Sequence, residues 1–137
     1  MNSLTALQTS ILKHEVDYYA PDGSEIRLLA TMKRGGLAHC TLPPGGVSLA
    51  VRHQTVEEIW YFLNGSGEVW RKLPGHETVT AVSSRDCLTI PVACHFQFRK
   101  YRSDPLTFLI ATMPPWPDAS EAVRVDDHWP TGPIGRG

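Results

Sequence analysis

Apolar and polar residues alternate in short runs along most of the chain, and a new run begins about every ten residues. The connectors between these runs are rich in Pro, Gly, Asp, Asn and Ser. This rhythm is typical of an all-β sandwich or barrel. The predicted strands are 15–19, 26–32, 37–42, 47–53, 59–63, 68–72, 78–82, 87–90, 96–99 and 106–113.

Several connectors carry residues that favour tight turns. Residues 64–67, Asn-Gly-Ser-Gly, lie between two aromatic-rich runs and predict a β-hairpin, because Asn-Gly favours the turn that joins paired strands. Residues 21–23, Pro-Asp-Gly, and residues 42–46 predict further turns, since proline fixes φ and glycine permits positive φ.

The two ends of the chain carry weaker patterns. Apolar residues within 4–12 share one face of a helix, but two threonines among them weaken this prediction and leave a first strand as the alternative. From Pro114 onward the tail is rich in proline, which cannot donate to a strand ladder, so we predict an arm that lies over the barrel. Trp116 and Trp129, which adjoin prolines, are predicted to anchor this arm or to lie in a dimer interface.

The composition indicates one domain with neither a nucleic-acid nor a membrane partner. A chain of 137 residues without an internal repeat or linker predicts a single domain. Its 13 basic and 14 acidic residues are not clustered, which argues against nucleic-acid binding. No run approaches the roughly 18 apolar residues of a membrane span, and the N-terminus lacks a signal-peptide pattern. Cys40, Cys87 and Cys94 are odd in number and lack CxxC spacing, so we expect a cytoplasmic protein without disulfides.

Candidate chemistry is concentrated at His53, Glu58 and His95. The alternation of its strand puts His53 on an apolar, inward face, and Glu58 shares a face with Trp60 and Phe62. A spacing of five would place His53 and Glu58 on opposite faces of one straight strand, so they meet only if the chain reverses between them. Trp60 and Phe62 are then core residues that also wall a pocket and contact its substrate.

A later strand supplies further candidates. His95, Gln97 and Arg99 are predicted to share its inward face, with Phe96 and Phe98 on the opposite face. Gln97 is interpreted as a hydrogen-bond partner of a ligand. Arg99 suits an anionic substrate as a bidentate donor, or else it is a surface residue at the barrel rim.

Two imidazoles and one carboxylate form a ligand set for a divalent metal ion. Such a set suits Fe, Mn, Ni, Cu or Zn and leaves two or three coordination positions open. His39, in the predicted strand 37–42, is interpreted as a core or rim histidine, with acid–base catalysis as the alternative. Cys94 adjoins His95 and is interpreted as a buried, inert thiol.

The spacing of these residues resembles the cupin superfamily of small β-barrels. Its first motif is G-x5-H-x-H-x3,4-E-x6-G, which Gly45, His53, Glu58 and Gly65 match, while Val51 stands at the first histidine. Its second motif is G-x5-P-x-G-x2-H-x3-N. Pro91 matches and His95 lies one residue early, whereas Arg85, Ala93 and Arg99 replace the two glycines and the asparagine.

The resemblance implies a double-stranded β-helix, the cupin jelly-roll barrel, as one domain over 1–137. The barrel would span about 26–113, preceded by a strand or short helix within 1–25 and followed by the proline-rich arm 114–137. Cupins with a full ligand set use three histidines and one glutamate, so the implied metal ligands are His53, Glu58 and His95. Gln97 or Cys94 are further possible ligands, and pairing through N-terminal strands implies a homodimer.

Three classes of function follow from these residues. The first is a metal-dependent oxygenase, isomerase or lyase that acts on a small polar or anionic metabolite, with Glu58 and His39 as catalytic groups. The second is a module without catalytic activity that binds a sugar or another metabolite. The third is a metal-free enzyme in which Glu58 and His95 act as acid and base. The sequence carries no nucleotide, phosphate or flavin motif, so no organic cofactor is expected.

Overall fold

The computed structural model describes residue 4 and residues 6–42, 46–101 and 104–131, which form two antiparallel sheets. The six-stranded sheet has the order β1-β2-β3-β10-β5-β8, and the five-stranded sheet has the order β11-β4-β9-β6-β7. The predicted all-β class is confirmed. The strands are β1 Tyr18–Tyr19, β2 Glu25–Thr31, β3 Gly36–Leu42, β4 Val51–His53, β5 Glu57–Asn64, β6 Ser66–Leu73, β7 His76–Ser83, β8 Cys87–Ile90, β9 His95–Lys100, β10 Leu106–Met113 and β11 Ala122–Arg124.

The predicted strand 47–53 is the one that departs most from its expected bounds. Only Val51–His53 pairs as a strand, and Val47 makes an isolated bridge to Arg99. Between them the backbone forms no regular ladder: the Ser48 N–H donates to the Phe98 carbonyl oxygen of β9, and the Ala50 N–H donates to the Asp127 carboxylate at 3.1 Å. The inward and outward alternation predicted for 47–53 therefore does not run through the whole segment. Val51 and His53 point inward as predicted, but the residues before them do not continue that strand.

The hairpin predicted at residues 64–67 is wrong, because β5 and β6 belong to different sheets. The turn is a corner that takes the chain from one sheet to the other. Gly65 has φ +84°, and a Cβ there would lie 2.4 Å from the Pro105 carbonyl oxygen. A tight hairpin that the structure does contain joins β6 to β7, with Leu73 opposite His76 and Gly75 at φ +75° in the turn.

Five aromatic rings fill the centre between the sheets. Trp60, Phe62 and Phe108 come from the six-stranded sheet, Phe96 and Phe98 come from the five-stranded sheet, and each is at most 1% exposed. The Trp60 ring lies 4.6 Å from Phe108 and 5.2 Å from Phe98, centroid to centroid. Contacts at these distances are favourable for aromatic pairs. They hold the two sheets together across the barrel.

Residues 6–12 form neither the helix nor the first strand predicted for 4–12, since they carry no regular secondary structure, whereas the predicted strand 15–19 is present in part as β1. Side chains of the N-terminal segment instead bond to the backbone of β2. The amide of Gln8 both accepts from the Thr31 N–H and donates to its carbonyl oxygen, and the Asp17 carboxylate accepts from the Leu28 N–H. Leu7 and Ile11 are exposed, so a helix would have no surface on which to bury them. The homodimer stays a prediction.

The described part of the C-terminal segment packs on the barrel as the predicted arm. It contains a short 3-10 helix, Ala119–Glu121, and the strand β11, which pairs with β4 and was not predicted. Trp116 packs against His53 and Trp129 packs against Arg99, which confirms both as anchors of the arm. Within the part of the chain that the structure describes, no helix is long and apolar enough to cross a membrane.

Alanine at Gly65 is expected to destabilise the protein much more than alanine at Gly75. Both glycines have positive φ, which costs an L-residue about 1–2 kcal/mol. Only Gly65 also lies against backbone, whereas a Cβ at Gly75 meets nothing within 4 Å. We predict that Gly65→Ala lowers the free energy of unfolding by about 1–3 kcal/mol more than Gly75→Ala does, measured by urea denaturation. Equal losses would contradict the close approach of the corner to Pro105.

Candidate functional site

His53 and Glu58 meet inside the barrel, as they would if the chain reversed between them. His53 ends β4 in one sheet and Glu58 lies in β5 in the other, so the chain crosses between the sheets at residues 54–56. Both side chains face inward and are about 95% buried. The His53 Nδ1 atom lies 3.9 Å from the Glu58 Oε2 atom.

A third buried carboxylate, Glu121, holds the crossing in place. It accepts hydrogen bonds from the Thr55 N–H, the Thr55 hydroxyl and the Val56 N–H at 2.5 to 2.8 Å. Burial would raise the pKa of Glu121, but these donors outweigh it and lower the pKa. Glu121 therefore remains ionised next to the pair. Its position on the unpredicted 3-10 helix explains why sequence patterns did not reveal it.

The pair borders a cavity of about 210 Å3 between the two sheets. Most of its lining is apolar or aromatic, and Trp116 from the C-terminal arm forms part of one wall. Trp60 lines the cavity as predicted, whereas Phe62 packs in the core and does not reach it. The polar residues along the wall are Tyr18, Asp22, Ser24, Thr31, Thr112, His53 and Glu58.

Burial keeps both members of the pair uncharged at neutral pH. It raises the pKa of Glu58 to about 8, an effect that the Trp60 hydrogen bond opposes and the like charge of Asp22 reinforces. Burial also lowers the pKa of His53 to about 4, although the negative charge of Glu121 opposes this. The 3.9 Å contact is therefore a contact between a carboxylic acid and a neutral imidazole, not an ion pair.

One polar atom of each group is directed at the other group, and the one on His53 has no hydrogen-bond partner. The Trp60 indole N–H donates to the Glu58 Oε1 atom at 2.9 Å, which fixes the carboxyl and leaves its Oε2 atom towards His53. The His53 Nδ1 atom is buried and has no hydrogen-bond partner. Buried polar atoms are rarely left without a partner, so the His53 Nδ1 atom marks a place for a ligand.

His95 lies on the opposite face of its strand from the one predicted. In the pairing of β4 with β9, Val51 stands opposite Phe96 and Arg52 stands opposite His95. Directly opposed residues share a face, so Val51 and Phe96 point inward while Arg52 and His95 point outward. Phe96 lines the cavity and His95 does not. The structure does not bring His95 together with His53 and Glu58.

Backbone dihedrals explain why the sequence alone misplaced this residue. Arg85 and Ala93 have φ values of 81° and 69°, in the left-handed region that favours glycine. They stand where the second cupin motif has its two glycines, so the motif applies here without a shift. Three residues after Ala93, its histidine position falls on Phe96, not His95. Two of the four cupin ligand positions are therefore occupied by Val51 and Phe96.

The residues at this site do not fit a divalent metal ion. No group of three or more His, Cys, Asp or Glu side chains that could hold one is found within residues 4–131 apart from the undescribed gaps. None of the residues outside the described ranges is of those four types. Zinc sites take three or four protein ligands, and non-haem iron sites take two histidines and one carboxylate. His53 and Glu58 alone, beside Val51 and Phe96, do not supply them.

Gln97, predicted to contact a ligand, instead clamps the C-terminal arm to the outside of the five-stranded sheet. Its amide N–H groups donate to the carbonyl oxygens of Ser48 and Trp129, both at 2.9 Å. Its carbonyl oxygen accepts from the N–H groups of His128 and Trp129, both at 2.8 Å. Gln97 is fully buried, and its bonding capacity is used within the protein.

The remaining predicted residues also lie outside the cavity. Arg99 donates two hydrogen bonds to Glu68 and lies 4.3 Å above the Trp129 ring, so it is occupied at the surface. His39 is in β3 opposite Arg27 and Leu109, on the outer face of the six-stranded sheet. Cys94 is buried but does not line the cavity.

Sequence reasoning missed Tyr18 and Asp22 as residues of the cavity. Asp22 was interpreted as a turn residue, which it is, but its buried carboxyl also lines the wall and accepts from the Ser24 N–H and hydroxyl. Burial raises the pKa of Asp22. Burial also raises the pKa of Tyr18, and the charges of Glu58 and Asp22 add to this. A buried Asp next to a Gly-containing turn gives no signal of its own in the sequence.

Solved structures with a similar arrangement of strands are cupins. The oxalate decarboxylase of Lactobacillus farciminis, in its formate complex, matches at a TM-score of 0.66 and 19% identity, over 83% of this chain and 33% of that chain. The Cnp3 cupin domain of Schizosaccharomyces pombe matches at a TM-score of 0.60 and 10% identity, over 66% and 64%.

The chain has the cupin fold. A predicted oxalate decarboxylase from Thermotoga maritima adds a TM-score of 0.56 at 21% identity, over 66% of this chain and 79% of that one. The predicted jelly-roll barrel is thereby confirmed, while identities this low carry no activity across. The chain spans about a third of the Lactobacillus farciminis enzyme. No family model and no curated protein matches the chain.

Loss of the Gln97 clamp is expected to cost stability. Gln97→Ala leaves the buried Ser48 carbonyl oxygen and the partly buried N–H groups of His128 and Trp129 without this partner, and a buried polar group left unpaired costs about 1–3 kcal/mol. Gln54→Ala is the matched control, since the exposed Gln54 amide also holds the arm but through one bond to Ser120. We predict a loss of at least about 2 kcal/mol in the free energy of unfolding for Gln97→Ala and under about 1 kcal/mol for Gln54→Ala. Equal effects would contradict the clamp.

The raised pKa of Glu58 predicts a stability that falls as pH rises. In the folded state Glu58 holds its proton up to a pKa of about 8, whereas the unfolded chain releases it near pH 4 to 5. Between those values the folded state binds more protons, so stability declines with pH by up to about 1.4 kcal/mol per unit. His53 loses stability only as pH falls below about 6.5 towards 4. From about pH 6.5 to 8, Glu58 is therefore the only member of the pair that makes the free energy of unfolding depend on pH.

Glu58→Gln should abolish most of that decline, and Glu57→Gln should not. Glu57 precedes Glu58 on the same strand but is exposed, so the control removes the same charge without the burial. The measurement is urea denaturation of the three proteins at several pH values in this range. An equal decline in wild type and Glu58→Gln would show that Glu58 is ionised in the folded protein, which would contradict the uncharged pair.

Proposed function

We propose that the barrel binds a small molecule with an apolar body and one polar group that faces Glu58 and His53, without a metal ion. The observation that carries this proposal is the cavity of about 210 Å3 with an unpartnered His53 Nδ1 atom at its wall. Small-molecule sites are typically concave, mostly apolar and equipped with a few polar groups that orient the ligand. The site has each of these properties.

The cavity volume limits the size of the ligand. An apolar cavity of about 150 Å3 holds benzene, so about 210 Å3 suits a six-membered ring with one short substituent. Trp60, Phe96 and Phe108 line the cavity and would contact the ring. The Glu58 Oε2 and His53 Nδ1 atoms would receive the substituent.

Metal-free acid–base catalysis is a second candidate, favoured by the opposite pKa shifts of the pair. Glu58 keeps its proton at neutral pH, and the neutral His53 has an unpartnered nitrogen that accepts one. A donor and an acceptor on one side of a bound molecule can move a proton between two of its atoms. In this version His53 takes the role that the sequence interpretation gave to His95.

Binding is tested with benzyl alcohol, a neutral molecule of the expected size. We predict a dissociation constant of about 0.1–1 mM by isothermal titration calorimetry, a reasonable affinity for so few atoms. Ala38→Leu should abolish binding because Ala38 lines the cavity, whereas Ala81→Leu adds the same side chain on the exposed face of β7. Melting temperatures check that both variants fold. Binding that Ala38→Leu does not weaken would place the ligand elsewhere.

Metal content decides between this proposal and the metal-dependent enzyme predicted from the sequence. Protein purified without a metal-affinity step should contain well below one equivalent of Fe, Mn, Ni, Cu or Zn by mass spectrometry of the elements. The melting temperature should not rise when these ions are added, because a bound ion would stabilise the folded state. One equivalent of metal that is lost in both His53→Ala and Glu58→Ala would instead support the metal-dependent enzyme.

A further inference from the structure

We propose that the ligand of the barrel is a small amine, whose N–H groups donate to both the Glu58 Oε2 atom and the His53 Nδ1 atom. This inference rests on the proposed binding function and names the chemical class of its ligand. It replaces the polar or anionic metabolite that the sequence suggested, because the groups at the cavity wall select against an anion.

The Glu58 Oε2 and His53 Nδ1 atoms, which face each other, can both accept a hydrogen bond. The Trp60 N–H already donates to the Glu58 Oε1 atom, so above the Glu58 pKa of about 8 the ionised carboxyl presents its Oε2 atom to His53 as an acceptor. The His53 Nδ1 atom of a neutral imidazole is an acceptor when the proton lies on the other ring nitrogen. They are 3.9 Å apart, which lets one nitrogen lie about 2.9 Å from each. An amine offers two N–H groups at such a point.

The charged groups in and near the cavity wall also favour an amine over an anion. Two carboxyl groups, Asp22 and Glu58, line the cavity, and the ionised Glu121 lies within electrostatic reach of His53 and Glu58. Among the described residues that line the cavity there is no Lys or Arg. The arginine predicted to receive an anion, Arg99, pairs with Glu68 outside the barrel. A carboxylate ligand would therefore find no compensating cation in this wall, and it would add a like charge near the ionised Glu121.

Aromatic rings near Glu58 and His53 also favour a ligand with a positive charge. Trp60, Phe96 and Trp116 line the cavity, and the Phe96 and Trp116 rings lie 5.1 and 5.0 Å from the His53 ring. A cation within about 6 Å of such rings is attracted to their electron-rich faces. The same rings also contact the apolar body of a ligand, so they favour an organic cation over a hydrated metal ion.

Three probes with the same ring separate this inference from the binding function itself. Benzylamine, benzyl alcohol and benzoate are titrated into the intact chain by calorimetry, at a pH above the pKa of Glu58 and below that of the amine. We expect benzylamine to bind at least tenfold more tightly than benzyl alcohol, the effect of a charge-assisted hydrogen bond, and benzoate to bind most weakly. Glu58→Gln should reduce benzylamine to the affinity of benzyl alcohol, and Glu57→Gln should leave it unchanged.

The other possible results of this titration contradict either the amine inference alone or the binding proposal as well. Equal affinity for benzylamine and benzyl alcohol, or tighter binding of benzoate, would overturn the amine inference and leave the binding proposal standing. A failure of all three probes to bind would contradict the proposed function as well. The comparison of probes uses the wild-type protein, so it decides the inference even if Glu58→Gln does not fold.

Discussion

The burial of Glu58 and His53 against each other, without a charge to compensate either, is the constraint on which the site depends. Removing an ionised carboxylate from water costs far more than removing a neutral acid, so burial favours the protonated form. The same cost keeps the imidazole neutral. The barrel thus holds an acid and a base that do not neutralise each other, at a distance too long for a good hydrogen bond.

This arrangement needs support from elements on both sides of the barrel. The pair comes from opposite sheets, and the five aromatic rings hold those sheets together. Glu121 fixes the crossing between His53 and Glu58, and Gln97 fixes the arm that carries Trp116 to the cavity. The Glu121 carboxylate and the Gln97 amide are thus satisfied within the protein, whereas the His53 Nδ1 atom at the cavity is not. Such a division is expected of a binding site on a rigid scaffold.

Alternation along the chain was enough to predict the class of fold and most strands. It also placed Glu58 and Trp60 on one inward face, because β5 is regular along its length. Alternation failed at His95, since a period of two gives the partition of residues between faces but not which face is inward. That choice is made by pairing with β4, a contact between residues more than forty positions apart.

The predictions of a hairpin at Gly65 and of His95 as a metal ligand were wrong for related reasons. Asn-Gly indicates a tight turn but not whether the flanking strands pair or separate into two sheets. The cupin motif gave the fold and the pair, yet its second histidine was assigned to the nearest histidine. The positive φ of Arg85 and Ala93 shows the correct position, and that information lies in the backbone, not in residue type. Asp22 and Glu121 reach the site through a turn and a 3-10 helix, for which hydrophobic periodicity gives no prediction.

The protonation state of Glu58 tests the central claim most directly. It is measured by nuclear magnetic resonance, from the carbon-13 shift of the Glu58 carboxyl as pH is raised, with Glu58→Gln used to assign the signal. We predict a carboxyl that titrates near pH 8 in protein without added metal. Titration near the ordinary glutamate value of about 4 would show that the carboxyl is charged and compensated in the barrel, which would contradict the metal-free acid–imidazole pair.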